Sequence, residues 1–381
     1  MPAPEPVLTA LRDLPSPVCA YVYDRQVLRD RVAQLRAALP AGTTVLYAVK
    51  ANGHPEVVRA LSQVCDGLEV ASGGELRLAA GARARRIVFG GPAKTGAELS
   101  AAVAAGAQIN IESGQELLRL DHLARAAGVV VDACVRVNRA TAGPGGTHAM
   151  TGTPTPFGVD EAALGAFFAL PHDHVRIIGF HLHAVSNNLD GAAHARFLTD
   201  CLAWSARAAA EHGVDLRIVN AGGGFGVDYL SDDSIDLAPL SSVGVPAGVE
   251  LIVEPGRFLA ADAGWYAAEV VDLKLTHGRW FAVLRGGTHH FRLPAAWGYS
   301  HPFTVLPRPA WDHPWERPTV SDVEVDAVGE LCTPRDVLAR ARRVDRLGIG
   351  DVLVFARTGA YGWDISHHDF LRHPAPDFIV L

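Results

Sequence analysis

Paired cysteines are missing from this chain. Its five cysteines, Cys19, Cys65, Cys134, Cys201 and Cys332, are scattered and odd in number. No Cys-x-x-Cys pair occurs, so neither a disulfide frame nor a structural zinc site is expected. Free thiols of this kind suit a reducing, cytoplasmic setting. Long apolar runs are missing as well. No stretch of about 18 apolar residues is present, so no membrane span is expected. The first twenty residues lack a basic start and a long apolar core, and do not read as a signal peptide. Excess positive charge is also absent. The net charge of −7 disfavours nucleic acid or an anionic membrane as the main partner. What remains is ordinary globular material, 49% hydrophobic and 20% charged over 381 residues. That length accommodates two domains, or one barrel and an appendage.

A strand is expected over 18–23 and a helix over 24–39, stopped by Pro40 and Gly42. A regular alternation follows. Apolar strand candidates fall at 43–49, 67–70, 86–90, 108–112, 131–137, 176–183, 216–220 and 249–254. Ala- and Leu-rich segments of helical length lie between most of them. Alternation of this kind implies parallel strands with right-handed crossovers. Eight strands fit a (β/α)8 TIM barrel over 24–262. An open doubly wound sheet competes, but usually needs fewer strands. Beyond 262 the helical segments thin out and short β-prone runs take over. Residues 263–381, joined by 1–23, read as a mostly-β domain, a β-barrel or sandwich.

A barrel carries its chemistry at the carboxyl ends of its strands. The first strand candidate runs into Lys50, and an ammonium there either snorkels to solvent or is used. The sixth ends in His181-Leu182-His183, followed by Ser186. The seventh ends in Asn220-Ala221-Gly222-Gly223-Gly224, and the eighth in Glu254-Pro255-Gly256-Arg257. A loop over 138–157, rich in Gly, Pro and Thr, follows the fifth and is placed to cover the barrel mouth. The glycine triplet is either a tight turn or a cradle for an anion. Arg257 offers a forked cation for the same anion. The two histidines also suit metal, yet only Glu254 offers a further ligand, and no metal is expected. His289-His290 and His367-His368 read by default as solvated loop residues. An imine-forming lysine, a phosphate cradle, a histidine that stacks and an acid for a ring nitrogen together describe pyridoxal phosphate.

With these residues in place the chain resembles the fold-type III decarboxylases that use pyridoxal phosphate, which include diaminopimelate, ornithine and arginine decarboxylases. The likeness runs from Tyr21 to Leu371. It rests on Tyr47-Ala48-Val49-Lys50-Ala51-Asn52, Leu68-Glu69-Val70-Ala71-Ser72, His181-Leu182-His183, Gly222-Gly223-Gly224-Phe225, Glu254-Pro255-Gly256-Arg257, Gly329-Glu330-Leu331-Cys332 and Ala360-Tyr361-Gly362. The resemblance implies that Lys50 holds the cofactor covalently and His183 stacks on its ring. Ser186, Gly224, Gly256, Arg257 and Tyr361 would hold the phosphate, and Gly223 would also bind the cofactor. Glu69 and Arg136 would form a charged network behind the ring, and Glu254 would protonate its nitrogen. Racemising members pair that nitrogen with an arginine, so Glu254 favours decarboxylation. Cys332 would return a proton to Cα; its alternative reading is an inert loop thiol. Cys332 and Tyr361 would come from a second subunit, which makes a homodimer the expected state.

One departure bears on the substrate. Amine-recognising members carry an acid directly after the cysteine, and here that residue is Thr333. A buried substrate ammonium without a counterion is costly. The β domain instead offers His289, His290, Arg292, His301, Arg335, His367 and His368, a set suited to a distal carboxylate. Arg292, Cys332, Thr333 and Tyr361 are the expected substrate contacts. The stretches around 287–294 and 359–368 are similar to the siderophore-pathway branch, which decarboxylates citrate-conjugated diaminopropionate. The alternatives are a diaminopimelate, basic or carrier-tethered amino acid as substrate, or a non-catalytic cofactor-binding relative.

Overall fold

The barrel strands form where aliphatic and β-branched residues run together, and several of them lead into a capped helix. The side chains of Ser72, Thr95, Ser113 and Asp190 each accept a backbone N–H two or three residues into the next helix. The computed structural model describes residues 3–231 and 234–381. It contains two compact units. One holds residues 29–227 and 234–259, the other 3–28, 228–231 and 260–381. The insertion of 228–231 into the second unit departs from a simple boundary at 262. Its cause is Arg357, whose guanidinium donates to the carbonyls of Asp228 and Ser231.

In the first unit eight parallel strands close into a ring: Thr44–Ala48, Gly67–Val70, Ile87–Phe89, Gln108–Ile111, Val131–Asn138, Val175–His181, Ile218–Asn220 and Glu250–Val253. The eighth pairs with the first through Ile252–Thr44 and Val253–Val45. Helices Pro55–Val64, Gly73–Gly81, Gly96–Ala104, Gly114–Ala127 and Gly191–His212 connect strands around it. This is the (β/α)8 barrel expected from the alternation. Leu46, Val88, Cys134, Ile178, Ile218 and Ile252 form a buried cluster drawn from six of the strands. Gly179 permits the sixth and seventh strands to pair, because a Cβ there would lie 1.9 Å from the Ile218 carbonyl oxygen.

The loop over 138–157 is pinned down. His148–Ala149 pairs antiparallel with Val185–Ser186. Thr151 Oγ1 accepts from the Arg139 N–H at 2.6 Å, and Asn138 Nδ2 donates to the Thr153 carbonyl at 3.1 Å.

The second unit is a mostly-β domain around one eight-stranded sheet. The long strand Gly264–Thr276 pairs antiparallel with Cys19–Tyr23 and Val352–Phe355 near its start, then with Arg279–Leu284 near its end. Thr319–Val328 and Val337–Gly348 extend the sheet beyond Arg279–Leu284. Val7, Leu11, Val22, Trp265, Ala267, Val352 and Val354 belong to its main apolar cluster.

Three histidines are locked into these interiors. Burial holds His194 down to about 4, His301 to about 4 and His290 to about 3. Each folded value lies below the unfolded one, so each contributes stability that is full above about pH 6.5 and is lost as the pH falls toward the folded value. Stability is expected to drop by about 1.4 kcal/mol per pH unit for each histidine across that window. Urea midpoints at pH 7 and pH 5 check this. Equal midpoints would contradict it.

Candidate active site

The strand ends of the barrel bring the first group of expected residues together. The first strand stops at Ala48, and Lys50 sits on a single 3-10 turn, Val49–Ala51. The turn is fixed from below: the Tyr47 hydroxyl donates to the Asn52 carbonyl at 3.0 Å. It presents the lysine to the mouth, where its side chain is 43% exposed. The Lys50 ammonium lies 2.8 Å from Glu69, a buried acid on the second strand.

Glu254 follows the eighth strand and is buried. Its Oε1 accepts from Asn220 Nδ2 at 2.6 Å, and its Oε2 lies 3.3 Å from His181 Nε2. Burial alone would push this carboxyl up. The His181 ring, the Lys50 ammonium and the Asn220 amide outweigh it and hold the group well below the usual carboxylate range. His181 and Asn220 thus act on Glu254 directly. The sequence showed both at strand ends without showing this partnership. The i, i+2 spacing of His181 and His183 is the one signal that sets their rings near each other. The ring centroids are 6.3 Å apart and the planes differ by 15°.

His183 Nδ1 accepts from the Gly223 N–H at 3.1 Å, which fixes the ring and leaves Nε2 as the site for a proton. Burial, with the charges of Arg136 and Lys50 and the His181 ring, holds this imidazole well below its usual value, so it is neutral at pH 7. Gly222 makes the arrangement possible. Its φ is +69°, and a Cβ there would lie 2.5 Å from His183 Nδ1. The triplet therefore serves packing as much as anion approach.

Open amide donors lie beside it. No carbonyl among the described residues takes the N–H of Gly224, Phe225 or Gly256. Gly223 does not join them, because its amide is given to His183; Phe225, which the sequence did not single out, stands in its place. The Ser186 hydroxyl makes no hydrogen bond to a described residue, and Arg257 is buried at the start of the helix Arg257–Ala260.

The expected network of Glu69 with Arg136 does not form as a pair. Glu69 belongs to Lys50. Arg136 donates to Glu112 Oε1 at 3.0 Å and lies over the Phe157 ring. Glu112 also accepts from the amides of Gly91 and Gly158, at 2.7 and 3.1 Å.

In the second unit, Cys332 is exposed on the loop between Thr319–Val328 and Val337–Gly348. Asp336 braces that loop. Its Oδ1 accepts from Thr288 N at 2.6 Å and its Oδ2 from Leu331 N at 2.8 Å. Tyr361 adopts a left-handed backbone, φ +53°, between Ala360 and Gly362. The expected distal wall is only partly realised. His289, His290 and His301 are buried, which also corrects the reading of the first two as solvated. His301 bonds the Ala356 carbonyl at 2.7 Å, and His290 Nδ1 lies 3.3 Å from the Cys19 thiol. His368 stacks on Trp363 at 3.5 Å. Arg292, Thr333, Arg335 and His367 do share a cavity.

Residues 25–261 match the family described as "Pyridoxal-dependent decarboxylase, pyridoxal binding domain". The chain belongs to this family. It is a carboxy-lyase that uses pyridoxal phosphate, and the chemistry of the barrel residues suits that group: an accessible amine, an ionised acid, a neutral imidazole, amides that no described carbonyl takes, a hydroxyl and a guanidinium. Among its relatives, 2-[(L-alanin-3-ylcarbamoyl)methyl]-2-hydroxybutanedioate decarboxylase of Staphylococcus aureus is 39% identical, over 99% of this chain and 97% of the relative. L-glutamyl-[BtrI acyl-carrier protein] decarboxylase of Niallia circulans is 30% identical, over 93% and 87%. The fold matches the crystal structure of diaminopimelate decarboxylase from Helicobacter pylori with a TM-score of 0.84 over 98% and 93% of the two chains, at 24% identity. Among the described residues this decarboxylase has no helix long and apolar enough to cross a membrane.

Proposed function

We propose that this decarboxylase removes the α-carboxyl group of an amino acid whose side chain ends in a hydroxy-dicarboxylate, a citryl-diaminopropionate conjugate of the kind named for its staphylococcal relative, as a step of siderophore synthesis. The observation that carries the reading is Thr333 beside Arg292 and Arg335 in one cavity, where a neutral residue and two cations replace an acid. A distal ammonium would find no counterion there, and a distal carboxylate finds two guanidiniums.

Bound pyridoxal phosphate supplies the sink for the electron pair left on Cα as carbon dioxide departs. The chain's own residues prepare that event. Lys50 would hold the cofactor through its side-chain amine. Ser186, the amides of Gly224, Phe225 and Gly256, and Arg257 bind the phosphate. His183, neutral and held by Gly223, would help to hold the cofactor ring. Glu254, kept ionised by His181 and Asn220, holds a proton at the ring nitrogen. Cys332 delivers a proton to Cα after the carboxyl carbon has left, and its thiolate is reprotonated from water. Tyr361 completes the phosphate site from a second copy of the chain, so the working unit is a homodimer in the cytoplasm.

Carbon dioxide release from the conjugate, diaminopimelate, ornithine and lysine at equal concentration tests the substrate. The conjugate is expected to give a kcat/KM at least about a hundredfold above the others. A preference for diaminopimelate would end this reading.

A further inference from the structure

Glu330 stands two residues before Cys332 and turns its side chain into the β domain, where it is 17% exposed. One oxygen, Oε1, gathers four partners. Arg285 Nη1 donates to it, and so does the Gly286 amide at 3.0 Å. His289 Nε2 stands 3.5 Å away and His373 Nδ1 3.6 Å away. The Glu330 N–H in turn donates to the Gly286 carbonyl at 2.9 Å. Residue 330 is thus tied to Gly286 through main chain and side chain together. The partners come from separate places. Arg285 and Gly286 follow the strand Arg279–Leu284, and His373 lies between the turn Phe370–Arg372 and the strand Asp377–Val380. His289 is fully buried, its ring nitrogens find no hydrogen-bond partner among the described residues, and Glu330 is the acid it faces. Burial pushes the Glu330 carboxyl up. The His289 ring, Arg285, His373 and the Gly286 amide outweigh it and hold the group below its ordinary value. A buried ion pair adds little net stability, but its geometry is exacting, because moving either partner leaves an uncompensated charge.

Cys332 is exposed within the chain, so the chain aims its thiol through the backbone on either side. Asp336 ties that backbone to Thr288, and Glu330 ties it to Arg285 and Gly286. Neither Glu330 nor Arg285 lines the cavity that holds Arg292 and Arg335, so any effect they have on the reaction passes through the loop. We propose that Glu330 is a positioning residue for Cys332: its clamp on Arg285, Gly286, His289 and His373 fixes the face of Cα at which the thiol delivers its proton. The proposal rests on the role of Cys332 given above. When the bond from Cα to the carboxyl carbon breaks and carbon dioxide leaves, the electron pair stays with the substrate. The thiol proton then joins Cα, and the thiolate regains a proton from water. Cα now carries two hydrogens, and which of them is new depends on where the donor stands. A donor works only within hydrogen-bond reach, and a displacement of about 1 Å costs about a hundredfold. Water that replaces a misplaced thiol is not tied to one face.

Turnover in deuterium oxide reads this directly, with the amino acid that the enzyme decarboxylates fastest. Wild-type enzyme is expected to place one deuterium on Cα in a single configuration. Glu330→Ala is expected to give both configurations, with kcat lowered about ten- to a hundredfold and KM within about twofold of wild type. Glu330→Gln keeps the shape and the bond from the Gly286 amide, and should recover most of the selectivity. His373→Ala removes the most exposed partner, at 28%, and should give a smaller loss in the same direction. It decides the matter if near-ultraviolet circular dichroism shows that Glu330→Ala does not fold. A merely structural Glu330 would change the amount of active enzyme and leave the configuration pure. Single-configuration product from both Glu330→Ala and His373→Ala would overturn the proposal. Cys332→Ala separates the two levels. Mixed product from Cys332→Ala beside pure product from the other variants removes the clamp and keeps the thiol as donor. Pure product from Cys332→Ala removes the thiol from its role, and the clamp with it.

Discussion

Lys50→Ala protein is expected to release carbon dioxide at least about a thousandfold more slowly than wild type, because no other lysine among the described residues stands at the barrel mouth. The sequence makes the test unusually clean. It contains three lysines, Lys50, Lys94 and Lys274. The Lys94 ammonium is buried 2.8 Å from Glu116 and donates to the carbonyls of Gly91 and Asn110. Lys274 is exposed on the β sheet beside Asp272. Borohydride reduction of the holoenzyme should therefore fix the cofactor to one peptide, the one holding Lys50. Label on either other lysine would remove Lys50 from its assigned role. The same variant tests the shared site. Mixed and refolded with an inactive Cys332→Ala partner, it should regain about a quarter of wild-type activity, because half of the dimers carry one intact site of two. No recovery would argue against a site built across two copies.

Glu254→Gln is expected to lower kcat by about a hundred- to a thousandfold with KM changed only a few-fold. The amide is nearly the same size, so Asn220 and His181 keep their neighbour. What is lost is the negative charge that three features of the site hold against the cost of burial: the His181 ring at 3.3 Å, the nearby Lys50 ammonium and the Asn220 amide at 2.6 Å. An uncharged side chain has no means to hold a proton at the ring nitrogen. Steady-state rates across the pH range separate the two parameters. A kcat loss below tenfold would mean that the electron pair on Cα is stabilised by something other than Glu254.

Much of this was legible in the residues, and the parts that were not share a cause. The eight barrel strands were visible because fully buried parallel strands are written as short apolar runs between turn residues. The site residues were visible because a barrel puts its chemistry where those runs end. Partnerships were harder to read. Glu112 sits 24 residues from Arg136, and nothing in either local pattern joins them; only the parallel pairing of the fourth strand with the fifth brings their ends side by side. The strand Val337–Gly348 hid for a different reason. It carries Arg340, Arg342, Arg343 and Arg346 on a largely exposed stretch, so its composition reads as a solvated loop. The histidines of the second unit misled in the opposite direction. His289 and His290 stand between Thr288 and Arg292 in a polar-looking stretch, yet their rings pack inside, 3.8 Å apart. Burial of a polar ring depends on partners such as Cys19, which lies 271 residues away from His290 in the chain.

The brace formed by Asp336 has a consequence for anyone redesigning this enzyme. One carboxylate ties the amide of Thr288 to the amide of Leu331, and a side chain at Gly329 would collide with it, its Cβ falling 2.2 Å from Oδ2. The thiol loop and the segment leading to Arg292 are thus one mechanical piece. Grafting a new loop after Cys332 to change the substrate would leave half of that piece behind, so exchange of specificity among relatives has to transplant 286–294 and 329–340 together.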